Sequence, residues 1–391
     1  MTKLIEITGK ALSGEWGCDD ETGKGIPVLR TTNFSNDGTV NYDNVVTRII
    51  IKKNLDEKFL QQGDILIEKS GGSDKQPVGR VIFFDGPEKI YLFNNFTGLL
   101  RVKNTVKWYP RYVFYALFAN YLQGGTRTFE NKTTGLHNLK IDDYVAQFMI
   151  KETPMQNQLT ICGLLDKTRG VITLCRQQIQ KFDDLIRARF VEMFGSQCHN
   201  EKQFTYGKID DVAEIYLGLT HTPKYIETGV KFISAKNTSG DYLDLKDVKY
   251  ISKEEYLSAP NGAKPRKGDV LFSRVGSNLG HPVILDIEEE LCTFVSLGFL
   301  RTKGAVTNLY LKHWMRDDFF TEQVRRKVVG GGQPNLNTGW LKEFGIIIPP
   351  TELQDQFAAF VEQVDKSKLA VQQSLDKTQE LFDSLMQKYF G

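Results

Sequence analysis

Two stretches of the chain carry apolar residues at alternating intervals of four and three positions, which is the period of a long paired helix. Each stretch begins with proline, a residue that suits the first turn of a helix. In residues 154–195 the apolar positions include Ile161, Leu165, Ile172, Ile179, Phe182 and Ile186. In residues 349–391 they include Phe357, Val361, Val364, Leu375, Phe382 and Leu385. The pattern predicts two long helices whose apolar stripes face each other.

The two helical stretches belong to an internal repeat. A shift of 196 positions places Pro154 on Pro350 and Gln158 on Gln354. Upstream, GIPVLRTTN resembles GVKFISAKN, GDILIEKSGG resembles GDVLFSRVGS, and HNLKIDDYVAQFMI resembles PNLNTGWLKEFGIII. Self-similarity at a fixed spacing indicates that one structural unit occurs twice. The predicted segments are 1–153, 154–195, 196–348 and 349–391.

The two globular segments, 1–153 and 196–348, are predicted to be rich in β-structure. GDILIEKS and VGRVIFFD in the first, and GDVLFSRVGS and HPVILDIEEE in the second, are strand-like runs of β-branched and aromatic residues bounded by Gly, Asp or Pro. Helices are predicted at 109–122 and 308–328. The expected fold class is α+β, with two similar β-rich domains joined by two long coiled-coil helices. For both stripes to meet within one chain, we expect antiparallel helices and pseudo-twofold symmetry.

Composition narrows the class of protein. A chain of 391 residues exceeds the usual size of a single core, so more than one domain is expected. The five cysteines show no Cys-x-x-Cys spacing, which argues against zinc and against a disulfide framework. There is no apolar run of eighteen residues and no apolar leader at the start. We therefore expect a cytoplasmic location and no contact with a membrane.

The layout resembles the specificity subunit of Type I restriction–modification systems over essentially the whole chain. The strongest similarity lies in VVGGGQPNLNTGWLKEFGIIIPPTELQDQFAAFVEQVDKS. There a Gly-rich turn, an Asn-Leu pair and an apolar strand lead through Pro-Pro-x-x-x-Gln into the last helix. KIDDVAEIYLGLTHTP, FISAKN and the Gly-Asp-Ile/Val-Leu strand of both halves support the resemblance.

The resemblance implies a function in DNA recognition. The two globular segments would be target recognition domains, each binding one half of a split sequence in double-stranded DNA. The helices would fix the gap between the halves and dock two methyltransferase subunits, which use S-adenosylmethionine to methylate adenine. A restriction subunit, an ATP-dependent translocase and nuclease, would join the complex. The chain itself would not be an enzyme and would hold no cofactor, while ATP and Mg²⁺ would bind to the partner subunits.

One part of the sequence departs from the repeat. The lead-in YGKIDD precedes the first strand of the second globular segment, but no evident counterpart precedes LIEI at residues 4–7. The sequence therefore predicts that the first segment is truncated there or opens differently.

Candidate DNA contacts lie mainly in loops that follow the repeated strands. Arginine suits guanine, asparagine and glutamine suit adenine, and serine, threonine and lysine suit phosphates. In the first segment the candidates are Arg30, Thr31, Thr32, Asn33, Lys69, Ser70, Gly71, Gly72, Ser73, Lys75, Arg80 and Arg127. In the second they are Lys224, Ser234, Lys236, Asn237, Arg274, Ser277, Asn278, Gln333 and Asn335. The alternative for each residue is an ordinary polar group in a turn.

Two other functions stay open at the level of the sequence. A coiled-coil adaptor with two protein-binding β-rich domains would share the helices and differ in its ligand. A nuclease would need carboxylates that bind Mg²⁺, and Glu130-Asn131-Lys132 fits the Glu-x-Lys fragment of such sites. No convincing aspartate in a preceding strand accompanies this fragment. We therefore predict no catalytic residue and no metal ligand.

Overall fold

A computed structural model describes the chain except for residues 53, 134–135, 277 and 329–333 and the side chains of 132 and 133. The chain forms two compact units. Unit 1 consists of Met1–Arg176 with Gln373–Gly391, and unit 2 consists of Gln177–Gln372. Each unit therefore contains one globular segment and a part of each long helix.

Unit 1 contains short strands and three helices ahead of the first long helix. The helices are α1 (Leu4–Thr8), α2 (Pro110–Leu122) and α3 (Ile141–Gln147). The strands are β1 (Thr2–Lys3), β2 (Leu12–Ser13), β3 (Cys18–Asp19), β4 (Ile26–Leu29), β5 (Val46–Ile49), β6 (Ile65–Glu68), β7 (Ser70–Gly72), β8 (Val81–Phe83), β9 (Leu92–Phe93), β10 (Thr97–Leu100), β11 (Glu130–Thr133), β12 (Leu136–Leu139) and β13 (Met149–Ile150). The long helix α4 (Met155–Phe194) follows.

The main sheet of unit 1 has the order β2-β10-β6-β8 and is antiparallel. Its central strand β6 is buried on both faces, because Ile65 and Ile67 join the core around α2 whereas Leu66 joins a second core on the other face. Burial of both faces explains the continuous apolar run in GDILIE. A second sheet, β3-β5-β4-β9, covers that other face, and its β4 and β9 are parallel.

Unit 2 repeats this arrangement. Its helices before the second long one are α5 (Ile209–Val212), α6 (Lys253–Ser258), α7 (Asn308–Trp314), α8 (Asp318–Lys327) and α9 (Thr338–Lys342). Its strands are β14 (Thr205–Lys208), β15 (Ala213–Leu217), β16 (Val230–Ile233), β17 (Lys249–Ile251), β18 (Val270–Ser273), β19 (Pro282–Ile284), β20 (Leu291–Thr293), β21 (Leu297–Thr302) and β22 (Gly345–Ile348). The long helix α10 (Thr351–Phe390) ends the chain.

The main sheets of the two units correspond strand by strand, whereas among the described residues the second sheet has four strands in unit 1 and three in unit 2. The order β15-β21-β18-β19 matches the main sheet of unit 1, and β17-β16-β20 again contains one parallel pair, β16 with β20. A buried ion pair recurs at the start of the central strand. Arg101 binds both oxygens of Asp64 at 2.7 and 2.6 Å, and Arg301 binds both oxygens of Asp269 at 2.9 and 2.7 Å. The prediction of two copies of one α+β domain is confirmed.

Two expectations from the sequence are wrong. The stretch 308–328 is not one helix, because α7 ends near Trp314 and the Asp317 side chain caps α8 by accepting the Phe319 N–H at 2.8 Å. The first segment also has a counterpart of the lead-in YGKIDD. β1 pairs with β13 and runs into α1, just as β14 pairs with β22 and runs into α5. With only two residues in β1, the lead-in was too short to recognise from its sequence.

The two long helices pair in opposite directions. Unit 1 joins the first half of α4 to the last turns of α10, and unit 2 joins the end of α4 to the start of α10. The side chains that share a core in unit 1 are Cys162, Leu165, Ile172, Phe382, Leu385 and Met386. Those that share a core in unit 2 are Ile186, Phe190, Met193, Phe194, Phe357, Val361 and Val364. The helices are therefore antiparallel, as predicted.

The predicted helix-pair residues all lie on the inward side of the helices. Those that are buried are Leu165, Ile172, Ile186, Phe357, Val361, Val364, Phe382 and Leu385. Those that are partly buried are Ile161, Ile179, Phe182 and Leu375. Cys162, Phe190, Phe194 and Met386 are buried too, although the 4/3 stripe did not select them. The globular part packs on the same helices, so the apolar face is wider than a coiled-coil seam.

A repeated glutamine ties each long helix to the globular part beside it. Gln158 accepts the Tyr109 N–H at 2.8 Å and donates to Lys107 O at 2.9 Å and Thr153 O at 2.8 Å. Gln354 makes the same three bonds in unit 2, to the backbone of residues 305, 307 and 349, at 2.7–3.1 Å. Each side chain is almost fully buried. The helix start is thus fixed against the loop before α2 in unit 1 and before α7 in unit 2.

Across the described residues, no helix combines the length and the apolar character needed to cross a membrane.

Candidate nucleic-acid interface

A short 3₁₀ turn follows β4 in unit 1 and β16 in unit 2, and both turns are built around a buried asparagine. Asn33 accepts the Arg30 N–H at 3.0 Å and donates to Asn41 O at 3.0 Å. Asn237 accepts the Ser234 N–H at 2.9 Å and donates to the backbone of residue 244 at 2.9 Å. Only 1% of Asn33 and 7% of Asn237 is exposed. These side chains hold the turns, so we do not propose base contacts for them.

The residues just before each asparagine differ between the units. Unit 1 presents Arg30, Thr31 and Thr32, of which Thr32 is exposed and the other two are partly buried. Unit 2 presents Ser234 and Lys236 at the matching places, with Lys236 exposed. Lys224 is also exposed, in the loop that leads to β16. One turn therefore displays different polar groups in the two copies.

Arg80 connects the turn of unit 1 to the central strand. Its guanidinium donates to Phe34 O and Thr31 O, each at 2.9 Å, and lies 3.3 Å from the Glu68 carboxylate. Burial raises the pKa of Glu68, and the charge of Arg80 opposes that rise. Arg80 therefore joins the backbone after β4 to the carboxylate at the end of the strand β6.

Lys69 and Arg274 occupy the same position, directly after the central strands β6 and β18. The Lys69 ammonium donates to Ser13 Oγ and Asn95 O, each at 3.2 Å, and burial lowers its pKa. The Arg274 guanidinium donates to the backbone of residues 295 and 336 at 2.9 and 3.2 Å, and burial lowers its pKa as well. Its Nη2 also lies 3.4 Å from Asn335 Oδ1, so two distant candidates meet.

The loop Ser73–Pro77 projects from the small sheet β11-β12-β7 of unit 1. Ser73 and Lys75 are exposed, and Arg127 reaches the loop by donating to the Asp74 carbonyl at 3.1 Å. The candidates in the preceding strand are placed by pairing, Ser70 opposite Asn138 and Gly72 opposite His137. Gly71, between them, is exposed and has a φ of 137°, a conformation that favours glycine.

The corresponding loop of unit 2 carries an exposed Asn278, and Asn335 is exposed beside it through the bridge between Val275 and Asn335. Ser277 and Gln333 were predicted contacts that lie outside the described residues. The structure thus forms a small loop cluster in each unit, with Arg127 at the Ser73–Pro77 loop of unit 1 and Asn335 beside Arg274 in unit 2.

Two residues of this cluster were not selected as DNA contacts. Glu130 and His137 lie behind the Ser73–Pro77 loop, 2.8 Å apart. One Glu130 oxygen accepts the Val78 N–H at 3.1 Å, so both carboxylate oxygens have partners. Within the described part of the chain, no three histidine, cysteine or acidic side chains are grouped to hold a metal ion. Glu130 therefore binds His137 and the backbone after the loop, a structural role that the Glu-x-Lys fragment did not suggest.

Comparison with known proteins supports the reading from the sequence. Residues 201–380 match the family model of the Type I restriction modification DNA specificity domain. The Type I restriction enzyme MjaVIII specificity subunit of Methanocaldococcus jannaschii is 20% identical over 273 residues, which cover 65% of this chain. The chain spans 63% of the length of that relative.

Solved structures extend the likeness to the whole chain. The S subunit of a Type I restriction–modification system from M. genitalium matches all of this chain and 95% of its own, with a TM-score of 0.56 and 14% identity. A chain from a structural study of assembly and conformational transition in the type I R-M system gives a TM-score of 0.55 at 16% identity, covering 100% of this chain and 96% of that one. These likenesses show the fold. The chain is thus similar in fold to these Type I proteins over its whole length, and residues 201–380 match the Type I restriction modification DNA specificity domain.

Proposed function

We propose that this chain is the DNA-recognition subunit of a Type I restriction–modification complex. The globular part of each unit contacts one half of a two-part sequence in double-stranded DNA. The observation that carries the proposal is the turn built twice around Asn33 and Asn237 with different exposed neighbours. A shared framework with different displayed groups is what the recognition of two unlike half-sites requires.

The long helices are proposed to set the distance between the half-sites. Each helix has 40 residues, which corresponds to about 60 Å at 1.5 Å per residue. Successive contacts on one face of DNA lie about 34–36 Å apart, or a multiple of that distance. A packed helix pair holds a fixed length, whereas a flexible linker would allow many. The gap in the target should therefore depend on helix length.

Partner subunits are proposed to carry out the chemistry. Two methyltransferase subunits would bring S-adenosylmethionine, and restriction subunits would bring ATP and Mg²⁺. Exposed apolar side chains on one side of α4 support docking of a partner there. Leu164 is 40% exposed, Val171 42% and Leu174 60%. A group of exposed apolar residues is typical of a protein–protein contact.

The net charge of the chain is consistent with partner subunits that supply part of the DNA binding. The net charge is +2, and phosphate contacts account for most of the affinity of a DNA-binding protein. We therefore expect the isolated chain to bind DNA weakly and the partners to supply many phosphate contacts. All five cysteines are free thiols, which suits the reducing cytoplasm.

Mapping adenine methylation tests the proposal. The chain would be expressed with its methyltransferase subunit in a strain that lacks adenine methylation, and the methylated positions would be mapped. The proposal predicts methylation at one two-part sequence, which disappears when this chain is omitted. An adaptor that binds only protein predicts methylation without any dependence on this chain. A nuclease predicts that the isolated chain cleaves DNA with Mg²⁺ and that Glu130→Ala abolishes cleavage.

Two matched variants test the assignment of one half-site to each unit. Thr32→Ala and Lys236→Ala remove exposed side chains from equivalent turns. Each should relax the sequence requirement in one half-site only, and the two variants should affect opposite halves. A variant that altered both halves would contradict local recognition. Inserting seven residues into each helix should lengthen the gap and leave both halves unchanged.

A further inference from the structure

His137 lies between two carboxylates behind the exposed Ser73–Pro77 loop. Its Nδ1 is 2.8 Å from Glu130 Oε2, and its Nε2 is 3.5 Å from Asp74 Oδ1. The His137 and Glu130 side chains are 7% and 5% exposed, whereas the Asp74 side chain is 83% exposed. The imidazole therefore connects a buried carboxylate of β11 to the outer edge of the loop.

The Glu130 carboxylate also holds the end of the loop at Pro77, whereas His137 contacts Asp74 near its beginning. Glu130 Oε1 accepts the N–H of Val78, the residue directly after Pro77, at 3.1 Å. Two further bonds hold the loop from the side, since Arg127 donates to Asp74 O at 3.1 Å and Gln76 donates to the hydroxyl of Tyr121 at 3.2 Å. Both ends of the loop are thus fixed through Glu130 and His137.

The pair is not a requirement of the fold. The repeat places Pro334 of unit 2 on His137, and the following leucines make the same bond in both units. Leu139 donates to Lys69 O, and Leu336 donates to Arg274 O, each at 2.8 Å. Unit 2 therefore forms the equivalent strand contact with a proline in place of the histidine. Burying a polar pair costs free energy that an apolar pair would not, so its presence in unit 1 calls for another explanation.

We propose that His137 and Glu130 are positioning residues that determine how strictly unit 1 recognises its half-site. They hold the Ser73–Pro77 loop so that Ser73 and Lys75 face the DNA in one arrangement. This inference rests on the proposed function. A loop fixed in advance loses less conformational freedom on binding, and a contact group displaced by about 1 Å loses most of its selectivity. Release of the loop should therefore widen the set of accepted sequences.

Four variants separate the contacts of the pair. His137→Leu removes the contacts of the imidazole with Glu130 and with Asp74. Glu130→Ala removes the carboxylate that binds the imidazole and the Val78 N–H. Glu130→Gln preserves these two bonds, because its amide oxygen accepts from Val78 and its amide nitrogen donates to the imidazole, whose other nitrogen then carries the proton. His137→Asn places an amide nitrogen near the Nδ1 position and is too short to reach Asp74. His221→Leu, at an exposed histidine of unit 2, is the matched control.

The experiment uses the full chain with its methyltransferase subunit and a DNA library in which each half-site is randomised in turn. Methylation of single-mismatch sites is measured relative to the intended site. In the first half, His137→Leu and Glu130→Ala should raise this ratio by about tenfold, the scale of one lost base contact. Glu130→Gln and His221→Leu should match the unchanged chain, and His137→Asn should lie between. The second half should not change in any variant.

The outcomes distinguish this inference from the function on which it rests. Unchanged first-half selectivity in His137→Asn and Glu130→Ala, with methylation reduced equally at all sites, would show a purely structural role and overturn the inference. If His137→Leu fails to fold in a thermal unfolding measurement, His137→Asn and Glu130→Ala decide the question, with Glu130→Gln as the control that preserves both contacts. Methylation by the unchanged chain with no sequence preference in either half would instead overturn the proposed function.

Discussion

In unit 1 the side chains of Phe114, Tyr115 and Phe118 in α2 pack in the core with the long helices, and Phe114 and Phe118 also lie next to Gly38. In unit 2 the equivalent positions of α7 carry Lys312 and His313, and Arg316 follows in the same register. These positions are matched through an equivalent tyrosine, which lies two residues before Phe114 in α2 and two residues before Lys312 in α7. The Tyr112 hydroxyl donates to Lys151 O at 3.1 Å, and the Tyr310 hydroxyl donates to Ile347 O at 2.7 Å. One place in the fold therefore has aromatic side chains in one copy and ionisable ones in the other.

Both copies leave a cavity of similar size at this place. The cavity of unit 1 is about 260 Å³. Its apolar border consists of Phe118, Leu122, Ile172 and Phe382, and its charged border consists of Asp37, Arg169, Arg176 and Asp383. The cavity of unit 2 is about 240 Å³. Its charged lining consists of Asp183, Arg187, Asp241, Lys312, Arg316, Asp317, Asp365 and Lys368. Size is thus a property of the shared framework, whereas the chemistry of the lining is not.

The difference teaches which parts of the junction the fold requires. The buried tyrosine and the glutamine at the start of the long helix are present in both copies and make the same bonds. The lining differs in most positions, although Phe382 and Ile186 are apolar at matching places, and it still yields the same arrangement. Unit 1 has one ion pair at this junction, Arg111 with Asp166 at 2.7 Å. We infer that unit 1 otherwise holds its globular part by apolar burial, which depends little on pH and salt, and that unit 2 relies more on charges, which depend on both.

The largest expected effect is at Phe114. This side chain is fully buried and contacts Tyr115 and Phe118 with ring centroids 5.2 and 5.5 Å apart. Phe114→Ala should lower the free energy of unfolding by about 3–5 kcal/mol, through lost burial and the cavity left behind. The equivalent Lys312→Ala should change it by less than about 1 kcal/mol, because burial of the ammonium group is already unfavourable and lowers its pKa. Urea unfolding of the full chain measures both, and equal losses would contradict the comparison.

The next effect should be the same in both units. Gln158→Leu and Gln354→Leu each leave a buried backbone N–H and two carbonyl groups without their partner. A loss of about 1–3 kcal/mol is expected for each variant. The double variant should lose the sum, since the two sites share no contacts. Urea unfolding again provides the measurement. A loss of stability in only one of the two variants would show that the equivalent glutamine bonds do not stabilise the two units equally.

The sequence predicted the helices well because their signal is periodic and long. The 4/3 stripe located Leu165, Ile172 and Phe357 on the packed side of the helices. It did not locate Phe190 or Phe194, which contact Tyr310 of the globular part. The helix α4 therefore packs against the globular part on a second face, and a single 4/3 period predicts only the face toward the other helix.

The sequence predicted that the candidate residues lie mainly in loops after the repeated strands, but the orientation of their side chains was not predictable. Asparagine is favoured both for base contacts and for holding a turn, so the sequence alone did not separate Asn33 and Asn237 from exposed contacts. Arg80 shows the same ambiguity, since an arginine that donates to backbone carbonyls looks like one that faces DNA. Neighbours distant in sequence decide these cases, and for Arg80 they are Thr31 and Phe34.

A smaller effect should appear with pH at His313 of unit 2. Burial lowers the pKa of His313 from 6.5 to about 3, with Lys312 and Arg316 acting in the same direction and Asp241 against it. The unfolded chain therefore takes up a proton near pH 6.5 and the folded chain does not, so stability falls as the pH drops. The loss between pH 7.5 and 5.5 should be about 1 kcal/mol. His313→Phe should remove this part of the pH dependence, and urea unfolding at the two pH values measures it. An unchanged slope in the variant would contradict the assignment.

The smallest effect should depend on salt. Lys368 of α10 forms an ion pair with Asp183 of α4 at 2.5 Å, and the two side chains are 25% and 34% exposed. Unit 1 has the uncharged Ile172 at the position of Lys368, so it has no equivalent ion pair there. Lys368→Met should therefore cost about 0.5 kcal/mol at low ionic strength, and 1 M salt should abolish the loss because it screens exposed charges. Urea unfolding at two salt concentrations measures the difference. Lys181→Met, at an exposed lysine of the same unit with no ion pair to another described residue, is the control and should show no such dependence. A loss at Lys368 that persisted in 1 M salt would mean that its aliphatic stem contributes by packing, and unit 2 would then resemble unit 1 more than its charges suggest.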